Sequence, residues 1–128
     1  MVIDASALVA ILKAEIERTS FLHAIARAPT KRLCPVNWFE AAIVIEREGP
    51  EARATLEEFV RDAQIQIMPV ENVHMVLARE AWQSFGKGRH RAALNLGDCF
   101  AYALAKHLRE PLLFKGDDFR QTDIAAAL

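Results

Sequence analysis

Apolar residues recur along this chain in two rhythms, one helical and one extended. A very short apolar run, Met1–Ile3, stops at Asp4. Leu8, Ile11 and Leu12 then fall at helical spacing and predict a helix from Ser6 to about Lys13, with Ser6 as its N-cap. A second helix is expected from about Ile16 to Arg27, with Phe21, Leu22 and Ile25 as its apolar stripe, and Ala28-Pro29-Thr30 ends it. Arg32–Val36 reads as a short strand, and a helix from about Asn37 carries Phe39, Ile43 and Val44 as far as the break at Gly49-Pro50. Glu51–Asp62 is again helical, with Leu56, Phe59 and Val60 facing inward. Gln64–Val70 alternates polar and apolar residues and reads as a strand. Glu71–Phe85 is helical, Gly86–Leu96 is a basic loop or the start of the next helix, Asp98–Leu108 is an Ala-rich helix, and Pro111–Phe114 is a short buried strand. Strands that alternate with helices predict an α/β fold on a parallel sheet. In such sheets ligands gather beyond the carboxyl ends of the strands.

That rule draws attention to the acids. Asp4 follows the first strand, Glu40 sits one helical turn past the second, Asp98 opens its helix, and Asp117-Asp118 follow the last strand. Two unit charges ~4 Å apart repel by about 4 kcal/mol at an effective dielectric of about 20. Carboxylates gathered at one rim therefore stay partly protonated or are held together by a divalent cation. An oxygen-only set suits Mg²⁺ or Mn²⁺ rather than zinc. A hard cation of that kind activates water for attack on a phosphodiester. Taken singly, each acid also has an ordinary reading. Asp4 ends a strand in a turn, Glu40 answers a helix dipole in the first turn, Asp98 is an N-cap, and Asp117-Asp118 form a solvated turn.

Composition narrows the class further. The chain has 128 residues, long enough for one domain spanning 1–128, and 52% of them are hydrophobic, which excludes a disordered chain. A net charge of −1 excludes a surface basic all over, but not a local basic patch. Lys87, Arg89, His90 and Arg91 supply such a patch close to Asp98 and are candidates for contact with an RNA backbone; the alternative is a solvated loop. Cys34 and Cys99 show no CxxC spacing and are expected buried and reduced. No signal peptide and no run of the ~18 apolar residues needed for a membrane span is visible, so a soluble, cytoplasmic protein with no membrane partner is expected. The four histidines lack ligand spacing and read as surface or helix-end residues. Trp38 and Trp82 read as core or dimer contacts rather than base platforms, and Phe39, Phe59 and Phe85 as core.

The stretches Val2-Ile3-Asp4-Ala5-Ser6-Ala7-Leu8, Asn37-Trp38-Phe39-Glu40-Ala41, Gly86–Cys99, Pro111–Phe119 and Thr122-Asp123-Ile124 together resemble the VapC branch of the PIN-domain family, along nearly the whole chain. That resemblance implies a three-layer α/β/α sandwich. It implies a metal-dependent endoribonuclease that uses Mg²⁺ or Mn²⁺ on RNA such as tRNA or rRNA, and that serves as the toxin of a type II toxin–antitoxin pair. Asp4, Glu40 and Asp98 then match the family's metal-binding acids, and Asp118 is the expected fourth, with Asp117 assisting. Ser6 matches a small hydroxyl that orients the first carboxylate. Glu15 matches an acid that relatives often keep after the first helix, with a Lys or Arg as its expected partner. A homodimer and a cognate antitoxin from the same operon are also implied. Cys34 departs from the family, standing where Ser is frequent. Other readings are weaker. A phosphatase with an Asp nucleophile needs a second acid where Ser6 stands, and a receiver domain needs paired acids near the first strand. A non-catalytic PIN-like RNA- or partner-binding module would be expected to lack one of the acids, and cleavage of DNA stays open because acids alone do not read a 2′-hydroxyl.

Overall fold

Six helices alternate with four strands in the computed structural model, which describes residues 1–128. The strands are β1 (Val2–Ile3), β2 (Arg32–Leu33), β3 (Gln66–Ile67) and β4 (Leu112–Leu113). They form one parallel sheet in the order β3-β2-β1-β4, with Val2 opposite both Arg32 and Leu112. The helices are α1 (Ala5–Leu12), α2 (Arg18–Arg27), α3 (Pro35–Glu46), α4 (Pro50–Asp62), α5 (Asn72–Phe85) and α6 (Leu96–Leu108).

A parallel sheet must be covered on both faces, and successive strand residues point to opposite faces. Here two residues per strand are enough to serve both. Ile3, Leu33 and Leu113 pack into one core with Leu8 of α1, Phe21 of α2, Ala41 of α3 and Leu56 of α4. Val2 and Leu112 pack into a second core with Ala78 and Ala81 of α5 and Ala101 and Leu104 of α6. Each fully buried Leu or Ile contributes about 1.5–3 kcal/mol by leaving water. The small alanines let α5 and α6 approach closely, and these two helices share the most extensive helix–helix contact. The result is the expected three-layer α/β/α arrangement. Ala126 adds a single parallel bridge to Leu112 at the sheet edge. No helix is long and apolar enough to cross a membrane.

Several boundaries differ from the sequence expectation for identifiable reasons. Helix α1 starts at Ala5 with Asp4, not Ser6, as its N-cap, because the Asp4 carboxylate accepts the Ser6 N–H. Strand β2 ends at Leu33 and α3 starts at Pro35, since proline fits the first helical turn, where an N–H has no partner. Helix α2 starts at Arg18, leaving Ile16 95% exposed. Gln64 has φ +55°, which prevents an extended run from starting there, so β3 is only Gln66–Ile67 on the exposed sheet edge. Phe39 was expected in the core but is 61% exposed, whereas Phe59 and Phe85 pack against the two cores as expected. Trp38 packs against the first core. Cys34 and Cys99 are buried free thiols.

Because the chain adds β2 and β3 on one side of β1 and then returns to add β4 on the other, the strand order reverses at β1. A crevice opens there, at the carboxyl ends of the strands.

Candidate active site

Asp4 stands at that crevice, at the end of β1, and only 2% of it is exposed. Its backbone N–H is bonded to the Leu113 carbonyl, which ties it to β4. One carboxylate oxygen accepts the Ser6 N–H at 2.9 Å and the Ser6 hydroxyl. The other accepts the Asn37 side-chain N–H at 3.1 Å. Burial pushes the Asp4 carboxyl up, the two Ser6 bonds pull it back, and the charge of Glu40 raises it further, for a net upward shift. Asn37, fully buried on α3, donates a second bond to the Gly97 carbonyl at 3.1 Å. One amide thus pins the end of β1 to the start of α6. Its Oδ1 has no partner, the kind of orphaned buried acceptor that strained functional sites tolerate.

Glu40 lies in the second turn of α3, not the first, so the helix dipole does not account for it. Its carboxylate lies directly over Gly97. A Cβ on that glycine would come within 2.1 Å of a Glu40 oxygen. Asp98 is the third residue of α6 rather than its cap. Asn95 caps the helix, accepting the Asp98 N–H at 2.9 Å, while Asp98 accepts the Asn95 N–H at 2.8 Å. This reciprocal capping box fixes the Asp98 backbone and one of its carboxylate oxygens. Burial pushes the Glu40 carboxyl up, and the charge of Asp98 adds to it. The Asp98 carboxyl is pushed up to about 6, chiefly by burial and further by Asp4 and Asp118, against the pull of the Asn95 N–H.

Asp118, exposed at the start of the 3-10 turn Phe119–Gln121, completes the set. Asp4, Glu40, Asp98 and Asp118 line one cavity of about 320 Å³, together with Ser6 and Lys115. Asp117 does not join them. It is 88% exposed, faces Arg120 at 3.8 Å and borders a separate depression beside Phe21. Lys115 is the cavity's only fixed cation, and it is already engaged. Its ammonium pairs with Glu15 at 2.6 Å and Glu17 at 3.3 Å, while its backbone N–H donates to the Ser6 hydroxyl at 3.0 Å. The expected partner of Glu15 is therefore Lys115.

Lys87, Arg89 and Arg91 are exposed, and none of the three borders the acid cavity. Arg89 instead stacks on Trp82, 3.9 Å from the ring centroid. His74 takes the expected helix-end role, its ring accepting the Glu71 N–H at 3.0 Å, although it is buried rather than on the surface. Sequence reasoning missed Asn37 and Gly97 as parts of the site. The available signal for Asn37 was its position on the inward stripe of α3, in line with Ala41 and Ile45.

The donors offered to a cation are oxygens, chiefly the four carboxylates, with no histidine or cysteine on the cavity wall. No three of them are drawn into a closed ligand cluster. The chemistry of the donors, oxygen alone, is what suits a hard cation such as Mg²⁺. The raised carboxyls of Asp4, Glu40 and Asp98 have the same first cause, burial, and the charges of neighbouring acids add to it.

Comparisons with known proteins give the family. The PIN domain family matches residues 1–125, and the chain belongs to that family. Within it, the chain falls in the VapC branch. Ribonuclease VapC of Mycolicibacterium smegmatis is 46% identical over 127 residues, 98% of each chain. Ribonuclease VapC30 of Mycobacterium tuberculosis is 44% identical over 126 residues, 98% of this chain and 96% of the relative. Ribonuclease VapC28 of Mycobacterium tuberculosis is 40% identical over 130 residues, 100% of this chain and 98% of the relative. The crystal structure of Mycobacterium tuberculosis VapC20, a sarcin-ricin loop cleaving toxin, aligns with a TM-score of 0.77 over 97% of this chain and 95% of that one. At 15% identity, that match is a likeness of fold.

Proposed function

We propose that this chain is a VapC-type endoribonuclease that hydrolyses RNA phosphodiester bonds with Mg²⁺ or Mn²⁺ held by Asp4, Glu40, Asp98 and Asp118. The observation that carries the reading is that these four carboxylates, each delivered by a different segment, share one cavity whose only fixed cation is tied to Glu15 and Glu17. When bound, such a cation supplies an activated water and stabilises charge on the phosphodiester. The chain's own residues keep the acids in place. Ser6 and Asn37 hold the two oxygens of Asp4, the capping box with Asn95 holds Asp98, and Gly97 leaves the space that Glu40 occupies. Asp117 is left out of the ligand set because it faces Arg120.

The exposed cations Lys87, Arg89 and Arg91 follow α5 and precede Asp98 in sequence, and in this reading they bind the RNA backbone. The relatives' names support a ribonuclease of the VapC kind; in this reading it acts in the cytoplasm as a toxin paired with a cognate antitoxin from the same operon. Exposed apolar side chains on α3 (Phe39, Ile43) and α5 (Val73, Val76) support a homodimer. The substrate class we propose is structured RNA such as tRNA or rRNA.

The test is cleavage of pooled tRNA and rRNA by purified protein with Mg²⁺, with Mn²⁺ and with EDTA. Metal-dependent cuts that EDTA abolishes, and that Asp4→Asn reduces by more than about 100-fold, exceed the 10–100-fold cost typical of losing an outer-shell partner. Folded, metal-supplied protein that cuts nothing would favour the non-catalytic binding module.

A further inference from the structure

The acid cavity has a neighbour. Asn95 borders it and also borders a second cleft, of about 550 Å³, between α5 and the start of α6. That volume lies in the range of about 300–1,000 Å³ typical of small-ligand clefts. Buried Ala78 and Cys99 line it, and large apolar side chains that the fold leaves in water flank it: Leu96 is 73% exposed, Met75 54% and Trp82 44%. The charged residues on its border are Arg79 and Lys87, and no carboxylate is among them. The indole of Trp82 is held in place. A Cβ on Gly86 would meet its ring at 2.5 Å, and the Arg89 guanidinium lies over it, 3.9 Å from the centroid.

An apolar cleft with a fixed aromatic wall and a purely cationic border matches the two halves of a nucleotide. The base has an apolar π-face, and stacking it on an aromatic side chain is worth roughly 1–3 kcal/mol. The phosphates are anions that Lys and Arg neutralise. We infer that this cleft is a base-binding subsite. An unpaired base next to the phosphodiester in the acid cavity enters between α5 and α6 beside Trp82, and its flanking phosphates meet Lys87 and Arg79. The inference rests on the ribonuclease reading and deepens it. Continuity through Asn95 brings a strand lying in the acid cavity to the edge of this cleft. Bases within a duplex are stacked on their neighbours, so the subsite selects single-stranded or looped RNA. A second protein surface would also cover apolar side chains, but the absence of any acid on the border and the shared rim with the acid cavity favour a polyanion.

The test is equilibrium binding of labelled short single-stranded RNAs in EDTA, measured by fluorescence anisotropy. One nucleotide at a time is replaced by an abasic sugar. For the wild type, one abasic position weakens binding on the order of 5–100-fold while its neighbours have little effect. For Trp82→Ala that selective loss disappears, and for Trp82→Phe, which keeps a ring, it largely remains. Equal effects at every position in the wild type, or an unchanged abasic profile in a folded Trp82→Ala protein, would overturn the subsite. So would a change of assembly mass in Trp82→Ala with RNA binding intact, which would make the cleft a protein interface. Metal-dependent cleavage of the same RNAs separates the two levels. Cleavage with no special abasic position removes the subsite alone, whereas neither binding nor cleavage by the wild type removes the ribonuclease reading along with it.

Discussion

The two ends of the central sheet treat their carboxylates in opposite ways. At the amino end, Glu110 accepts from the Met1 amino group at 2.6 Å and pairs with Arg32. Burial pushes the Glu110 carboxyl up, but these two cations outweigh it and leave the group below its ordinary value. At the carboxyl end, burial pushes Asp4, Glu40 and Asp98 up and the neighbouring acids push them further. The sheet is only two residues deep, so both environments lie within a few ångströms of the same strands. One end obeys the rule that buried charge is paired, and the other breaks it. Local violations of that kind mark functional sites, where binding something outside the chain supplies the missing compensation.

The sharpest way to break this contrast is Gly97→Ala. The three atoms nearest the new methyl all belong to the carboxylate at the flexible end of Glu40, so the helix and the fold should be retained while that carboxylate is displaced. Cleavage is expected to fall about 10–100-fold, the range for disturbing groups that orient metal ligands. An unchanged kcat/KM in a folded protein would show that the position of Glu40 is not critical. Glu110→Ala should act at the other end alone, destabilising the protein by about 2–3 kcal/mol through the unpaired Arg32. Denaturant unfolding measures this, and cleavage per folded molecule should not change.

Asp98→Asn should have the opposite sign, stabilising the metal-free protein at pH 7 by about 1–2 kcal/mol while abolishing cleavage. Its pH dependence follows from the raised folded-state value of about 6 against an ordinary 3.8. The protonated form favours folding, so this contribution is fully present below about pH 4 and is lost as pH rises toward about 6. Glu110, held low, contributes stability above about pH 4.5 that is lost on further acidification. Unfolding midpoints of wild type and Asp98→Asn should therefore converge as pH falls from 7 to 4. The smallest effect expected is from Mg²⁺ itself. Free Mg²⁺ at about ten times its dissociation constant should raise wild-type stability by about 1.4 kcal/mol and leave Asp98→Asn nearly unmoved.

The contrast also explains what was legible in the sequence. Strand ends could be found from short apolar runs that stop at Asp4 and before Asp117-Asp118, and the carboxyl-end rule then located the acids. Their burial and their neighbours were not readable, because both depend on the sheet order, which local patterns do not encode. The pattern overextended β2 and β3 because two-residue strands are shorter than any alternation can define. It made Ser6 a cap where the hydroxyl instead supports Asp4, since Ser and Asp are equally good caps. Gly97 read as an ordinary loop residue because what it accommodates, Glu40, lies far away in sequence. Asp117 and Asp118 are adjacent and chemically identical, and only the turn into Phe119 separates the one facing the cavity from the one facing Arg120.

The arrangement of β1 between β2 and β4 also bears on how the protein is made. Asp4 leaves the ribosome first, yet the backbone bond that ties it to β4 comes from Leu113, and Asp118 follows later still. Domains fold as their parts emerge during synthesis. A nascent chain therefore carries the first acid, its Ser6 and its Asn37 without a complete cleft, and the four carboxylates come together only after Asp118 has been made.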